Sequence, residues 1–304
     1  MLKQRIITAV VLLAILLPAL FWPSPVPFIT VALVLIAAGA WEWGRLNGLS
    51  QAGAVLSAAA CVLLCGVSWS AGLLERPLPV LWSFAAAAWV LAGAWLLHKG
   101  VAGWPQIQRP LRLAGGVLAL WLAWLAVSQA RTVGINFLLS VLVLVWVADV
   151  AAYFAGRAFG LKFTKRKLAP AISPGKSWEG VWGGMAGVLV LALLWTLSDA
   201  GLSAQVPSLY SRIASQGAWL LPLAAVFLAA MSVVGDLVES LIKRSAGVKD
   251  SSRLLPGHGG VLDRVDALLP TLPLAMMLAS LTSRPWRALQ SWDPPGPWVR
   301  TRWM

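Results

Sequence analysis

Nine apolar runs of about 20 residues set the terms for this chain, near residues 6–22, 27–44, 53–73, 79–97, 112–130, 134–156, 181–198, 216–239 and 264–283. A run of that length crosses the hydrocarbon core of a bilayer as a helix. None alternates polar and apolar residues as a barrel strand does, and a helix satisfies its own backbone in lipid. The fold class read from this is all-α, a polytopic integral membrane protein with about nine transmembrane helices. Composition agrees, since 59% hydrophobic and 12% charged residues leave too little polar sequence to cover a soluble globule of 304 residues. The second and fifth runs are the weakest: Glu42 and Arg45 end one, and Gly115 with Gly116 interrupts the other. The opening stretch, MLKQRIITAVVLLAILLPALFW, has the positive start and apolar run of a signal peptide but no small-x-small cleavage site, so it reads as a retained first helix.

A net charge of +13 would point a soluble protein toward nucleic acid. In a membrane protein Lys and Arg gather in cytoplasmic loops and face anionic lipid instead. No nucleic-acid motif is present, so nucleic acid is set aside as a partner and membrane lipid is kept. With the N-terminus inside, 17 Lys and Arg fall on the cytoplasmic side and seven on the far side. Four of those seven, Arg284, Arg287, Arg300 and Arg302, lie in the C-terminal tail, a blemish that an even number of spans would remove. Cys61 and Cys65 share a helical face without redox or metal context and read as small packing residues. The Trp residues tend toward the ends of the runs, as an interfacial belt would have them.

Polarity is uneven along the path. The first five runs hold almost no ionisable residue in their interiors, whereas the last four carry or border Asp149, Glu179, Asp236, Glu239, Asp263 and Asp266. The domain reading is therefore an N-terminal transmembrane scaffold, 1–133, a catalytic transmembrane half, 134–283, and a polar tail, 284–304. From Asp236 to Asp266 alone there are five acids (Asp236, Glu239, Asp250, Asp263, Asp266) and five bases (Lys243, Arg244, Lys249, Arg253, Arg264). An acid in a lipid-spanning segment is costly unless it pairs, faces water or binds a cation, which makes these residues functional by default.

Three constellations follow. Asp149 lies deep in the sixth run with Tyr153 one turn on and Gly156 after it, all on one face turned into the bundle. The loop from Arg157 to Gly180 carries Lys162, Lys165, Arg166, Lys167 and Lys176 and ends in SPGKSWEG, where Ser173 and Ser177 are expected to cap the seventh helix and offer its N-terminus to an anion. Asp236, Glu239 and Ser240 are expected on one face at the end of the eighth span, and Asp263 with Asp266 repeat the spacing at the start of the ninth. Two antiparallel helices would bring these carboxylates together, and hard oxygens without a His or Cys cluster select Mg²⁺ over zinc. Between the two helices runs LPGHGG, whose glycines let the backbone approach a ligand and hold His258 in a tight turn.

At Ser240 to Asp266, SLIKRSAGVKDSSRLLPGHGGVLDRVD, the chain resembles the phosphatidate cytidylyltransferases, or CDP-diacylglycerol synthases. Their signature runs S, one residue, apolar, KR, four residues, KD, a small residue, an L-P-type step, HGG and a closing D-R-apolar-D, and the stretch follows it throughout. DVAAYFAGRAFG and SPGKSWEG also look like the family, with Gly175 where a Lys is usual and Ser177 where a Thr is usual. The likeness covers roughly Asp149 to Asp266.

It implies transfer of CMP from CTP to phosphatidic acid, giving CDP-diacylglycerol and pyrophosphate with Mg²⁺, in a bacterial cytoplasmic (inner) membrane with the site facing the cytosol. A homodimer is compatible with it. On this resemblance the metal ligands are Asp236, Asp263 and Asp266, and the catalytic set is Lys243, Arg244, Lys249, Asp250, His258 and Arg264. The substrates fall to Asp149, Tyr153, Ser173, Lys176, Ser177, Glu179, Ser240, Gly259 and Gly260. The rival classes are a CTP-dependent lipid kinase, which would release CDP, and a secondary transporter, against which stand the absence of an inverted repeat and the clustering of charge at one surface.

Overall fold

The computed structural model describes residues 2–282. Six long helices come first: α1 (Leu2–Phe21), α2 (Val26–Leu46), α3 (Gln51–Ser70), α4 (Pro79–Lys99), α5 (Arg109–Val133) and α6 (Ile135–Phe159), with a 3₁₀ turn at Val101–Gln106 between α4 and α5. A hairpin of β1 (Lys167–Ala169) and β2 (Ser173–Ser177) follows, then α7 (Trp178–Gly201), α8 (Leu209–Ala214), α9 (Leu220–Ser245), α10 (Leu262–Val265) and α11 (Leu268–Thr282). Among the described residues nine helical segments are long and apolar enough to cross a membrane, α10 and α11 together forming the last, Leu262–Thr282. The nine-span, all-α expectation is met. The four tail arginines and the tail as a whole lie outside the described residues.

The two weak runs are full helices. In α5, Gly116 is required because a Cβ there would fall inside the indole of Trp43, whose Nε1 donates to the Leu113 carbonyl at 3.3 Å. Gly116, one of the two glycines that interrupt the sequence signal, is thus what seats α5 on α2, whereas a Cβ on Gly115 would meet nothing. The Trp belt is only partial: Trp82 and Trp124 are buried in the bundle, with their N–H groups given to Gln129 Oε1 at 3.1 Å and the Ile29 carbonyl at 3.2 Å. Cys61 and Cys65 are free and buried.

Small residues decide the contact that matters most for the site. A Cβ on Gly180 or Gly184 of α7 would lie 3.0 Å from the Ala152 carbonyl and 2.9 Å from the Ala148 carbonyl of α6. Backbone against backbone is the mode by which membrane helices associate closely without a hydrophobic driving force between them. At the other close approach, a Cβ on Gly235 of α9 would meet the Asp266 carbonyl at 2.5 Å and the Pro270 ring at 2.8 Å. Pro270 has no N–H to give Asp266, so the last span breaks between α10 and α11 there and turns that carbonyl toward α9.

Contacts fix which helix ends share a face. Arg5 Nε near the start of α1 donates to the Gly257 carbonyl at 3.0 Å, and Thr8 Oγ1 to the Pro256 carbonyl at 2.9 Å. The C-terminal ends of α2, α6 and α9 and the N-terminal ends of α7 and α10 lie on this same side. At the opposite end Arg131 caps α1 through the Leu20 carbonyl at 3.1 Å, and Asn136 donates to Asp199 at 2.8 Å. A cavity of about 620 Å³ lies there, with Arg131 spent on the Leu20 and Trp22 carbonyls and Asp199 on donors from Asn136 and Ser211.

One expectation about the connection from Arg157 to Gly180 changes. It is not loop throughout: SPGKS forms β2, antiparallel to β1 with Lys167 opposite Ser177 and Ala169 opposite Ser173. Ser177 caps α7 by accepting from Gly180 N at 3.2 Å, whereas Ser173 sits at the far end of the strand and caps nothing. A strand rises more than 3 Å per residue, so four residues carry Ser173 well clear of the helix end.

Candidate active site

Three helices enclose a cavity of about 410 Å³ whose lining combines the polar Asp149, Tyr153, Arg157, Lys176 and Asp236 with the apolar Val181, Met185, Ala229 and Val233. Asp149, Tyr153 and Gly156 of α6 all line it, as their shared helical face requires. Tyr153 stands edge-on to Phe154 with centroids 5.4 Å apart, and its hydroxyl accepts from Arg157 Nη1 at 3.3 Å.

From the opposite wall β2 projects Lys176 across the cavity to an ion pair with Asp236 of α9. Ser240, one turn beyond, donates to Asp236 Oδ1 at 3.2 Å. Asp266 lies within electrostatic reach of both Asp236 and Asp149, and its Oδ1 accepts from Ala267 N at 2.8 Å.

Glu239 parts from Asp236, contrary to the expectation of one shared face. Three residues along an α-helix fall roughly 60° short of a full turn, and here that offset turns Glu239 out of the cavity. It borders instead a separate, almost wholly apolar cavity of about 410 Å³ between α4, α5 and α9, with Trp89, Gly116 and Leu262. Lys243 lies between the two sides, 2.5 Å from Glu239 Oε2 and 2.5 Å from Asp263 Oδ1, with the three side chains only 11%, 7% and 6% exposed. Asp263 has further support: Oδ2 accepts from Ser251 N at 2.9 Å and Gly260 N at 2.7 Å.

The LPGHGG turn closes on itself through Leu255 N to the Gly259 carbonyl at 2.9 Å and His258 N to the Leu255 carbonyl at 2.8 Å. Gly257 and Gly259 hold φ of +77° and +84°, conformations that L side chains resist. At Gly259 a Cβ would also lie 2.6 Å from Asp263 Oδ2, so the glycine clears the space into which that carboxylate reaches. Gly260 is buried against Glu42 and Ser251.

Other expected site residues have different surroundings. Arg264 gives Nε and Nη2 to the His258 carbonyl at 3.1 and 2.7 Å, so it braces the turn. Arg244 reaches the carbonyls of Ile172 and Val248, both at 3.3 Å. Lys249 and Asp250 are exposed beside them, and His258 Nδ1 is buried without a partner. Glu179 is buried and turned away from the cavity, its Oε1 accepting from Phe163 N at 3.1 Å, Thr164 N at 2.9 Å and Thr164 Oγ1 at 3.0 Å. Among the described residues no three His, Cys, Asp or Glu side chains close to metal-ligand spacing.

One residue of this face escaped the sequence reading. Glu42 of α2 is fully buried and its carboxylate accepts from Val261 N at 2.9 Å and Leu262 N at 2.8 Å. Its signal is an acid near the end of an apolar run, which marks a span boundary equally well and so does not single out a functional carboxylate.

The arrangement offers cations and hard oxygens at the rim of a bilayer, beside an apolar recess. That suits a reactant with a charged head and a lipid body meeting a polyanion from the aqueous side. Comparison with known proteins agrees. Residues 3–282 match the profile described as the Cytidylyltransferase family. The chain is 42% identical over 279 residues to a phosphatidate cytidylyltransferase of Pseudomonas aeruginosa, covering 90% of this chain and 95% of that protein. It is 38% identical over 293 residues to one of Haemophilus influenzae, covering 90% and 96%, and 35% identical over 290 residues to one of Brucella suis, covering 93% and 95%.

Proposed function

The chain belongs to the cytidylyltransferase family, and we propose that it transfers CMP from CTP to phosphatidic acid, forming CDP-diacylglycerol and pyrophosphate at the cavity between α6, α7 and α9. The observation that carries this reading is the Lys176–Asp236 pair. Two motifs far apart in the chain, SPGKSWEG and the helix leading into the KR–KD–HGG–DRVD signature, meet across one cavity lined by both charged and apolar side chains.

In the proposed reaction a phosphate oxygen of the lipid attacks the α-phosphorus of CTP, a new P–O bond forms, and the bond to the leaving pyrophosphate breaks. The nucleophile is a phosphomonoester with a second pKa of about 6, already ionised near neutrality, so no side-chain base has to take a proton from it. The cations Lys176, Lys243 and Lys249 orient and neutralise the phosphates. Arg264 and the glycines of the turn hold the backbone at Pro256 to Gly260 where the nucleotide docks. The apolar lining of Val181, Met185 and Val233 takes the glycerol end of the acyl chains.

Asp236 and Asp263 supply the hard oxygens a divalent cation takes, and each is held by an ammonium, Lys176 or Lys243, rather than brought to metal-ligand spacing among the described residues. We assign Mg²⁺ to Asp236 and Asp263, with Asp266 behind them. When bound it neutralises charge developing on the triphosphate. This division keeps chemistry in residues 134–283 and places the face that carries it toward the cytosol, the source of CTP.

Purified chain in detergent, given labelled CTP and phosphatidic acid, should release pyrophosphate and form CDP-diacylglycerol. Release of CDP instead marks a lipid kinase. Asp236→Asn and Asp263→Asn should each raise the Mg²⁺ requirement, partly relieved by excess Mg²⁺ or Mn²⁺, while His258→Gln keeps more activity than either. A dead His258→Gln with an ordinary metal requirement, beside Asp variants of unchanged Mg²⁺ dependence, reverses these roles.

A further inference from the structure

We infer that Glu42, in the N-terminal half, is a positioning residue that sets the signature loop and, through it, Asp263. The inference rests on the reading of Asp263 as part of the site. Glu42 is buried to 0% exposure in α2, and each of its oxygens accepts two hydrogen bonds. Oε1 takes Val261 N at 2.9 Å and the Ser252 hydroxyl, and Oε2 takes Leu262 N at 2.8 Å and the Ser251 hydroxyl at 3.1 Å. All four donors lie between Ser251 and Leu262, so one carboxylate ties together both ends of the turn that contains HGG.

The link to Asp263 is direct. Ser251 Oγ lies 3.1 Å from Glu42 Oε2 and 2.9 Å from Asp263 Oδ2, and its single hydroxyl hydrogen serves one of them at a time. Ser251 N and Gly260 N, flanking the groups Glu42 holds, donate to the same Asp263 oxygen at 2.9 and 2.7 Å. Gly260 has no room for a side chain because Glu42 and Ser251 already fill that space. An acid of a membrane span with four loop donors and, among the described residues, no cation partner is explained by neither topology nor helix packing. Two exposed contacts from α1, Arg5 and Thr8 on the carbonyls of Gly257 and Pro256, support the same turn from outside.

Glu42→Gln keeps the shape but turns one oxygen into a donor that faces a backbone N–H, which leaves that N–H unpaired. Outer-shell partners that orient a metal-ligating side chain, the role assigned to Asp263, typically cost 10–100-fold in metal affinity or activity when removed. The full-length chain in detergent should therefore lose about 10–100-fold in kcat, with KM for phosphatidic acid changed by no more than about twofold. Amide exchange followed by mass spectrometry should rise in the segment holding Val261 and Leu262 and stay at the wild-type level in α6 and α7. Wild-type kcat, or a lowered kcat with unchanged exchange in 251–262, overturns the inference. So does exchange that rises equally everywhere, which marks a merely structural role.

If Glu42→Gln does not yield folded protein, Ser251→Ala decides alone, with a fall in kcat and the same local rise in exchange expected and wild-type behaviour in either measurement contradicting the inference. A wild-type chain that makes no CDP-diacylglycerol defeats the proposed reaction, whereas the exchange measurement still tests the clamp by itself.

Discussion

Replacing Lys243 by Met should expose how the two buried carboxylates beside it are kept. At 2.5 Å and an effective dielectric of about 20, each contact with Glu239 and Asp263 is worth about 7 kcal/mol of Coulomb attraction. Desolvation of three nearly buried groups offsets most of that, so the net loss on removing the cation is about 3–5 kcal/mol. The loss is not shared evenly. Asp263 keeps Ser251 N, Gly260 N and the Ser251 hydroxyl, whereas among the described residues Lys243 is the one ion-pair partner of Glu239. Glu239 therefore carries most of the cost, and Lys243→Met combined with Glu239→Gln should recover all but about 1–2 kcal/mol of it, since a neutral amide in that place pays a polar-group rather than a charge penalty. The measurement is SDS-induced unfolding in mixed micelles for the wild type, both single variants and the double variant. A double variant as unstable as Lys243→Met alone would refute the reasoning, because Glu239 would then not be the group left stranded. Activity should stay low in the double variant, since Asp263 still lacks its ammonium and the site its cation.

Two further outcomes test how the site is held. Glu179→Ala removes the acceptor of three donors at Phe163 and Thr164, next to Leu161 and Lys165, which hold left-handed φ of 63° and 51°. Losing that anchor should cost about 1–3 kcal/mol locally and speed tryptic cleavage at Lys162 to Lys167, read from band intensities over time, with unchanged cleavage as the contrary result. Gly235→Ala pushes a methyl into the Asp266 carbonyl and the Pro270 ring, and should destabilise by about 1–3 kcal/mol. Thermal unfolding in detergent checks it, and a variant as stable as wild type would mean that α9 and α11 part without strain.

The nine spans and the all-α class were legible because both are local properties. The transfer of an apolar run into lipid depends on its own length and composition, and backbone satisfaction then leaves the helix. The concentration of acids and bases between Asp236 and Asp266 was equally plain, as was the alignment of Asp149, Tyr153 and Gly156 that now line one cavity. Periodicity went astray where it had to choose a direction. Asp236 and Glu239 were given one face, yet the offset between them sends one to the Lys176 pair and the other to Lys243 and an apolar cavity, and only the neighbours of α9 decide which side is which. The SPGKS strand was hidden for a different reason. A five-residue segment with Pro and Gly has no strand signature until a partner, Lys167–Ala169, pairs with it.

What the sequence by itself determined is the solvent this chain lives in, how many described segments are long and apolar enough to cross it, and the identity of the charged motif around which a transferase can be read. The tertiary structure alone decided who holds that motif. Glu42 meets Val261 and Leu262 across about 220 positions of sequence, and nothing local to an apolar helix foretells that. Such a contact depends on how α2 crosses the bundle, which is set by glycines such as Gly116 under Trp43 rather than by the acid itself. Hydropathy is a sum over neighbours in sequence, and a buried carboxylate is satisfied by neighbours in space.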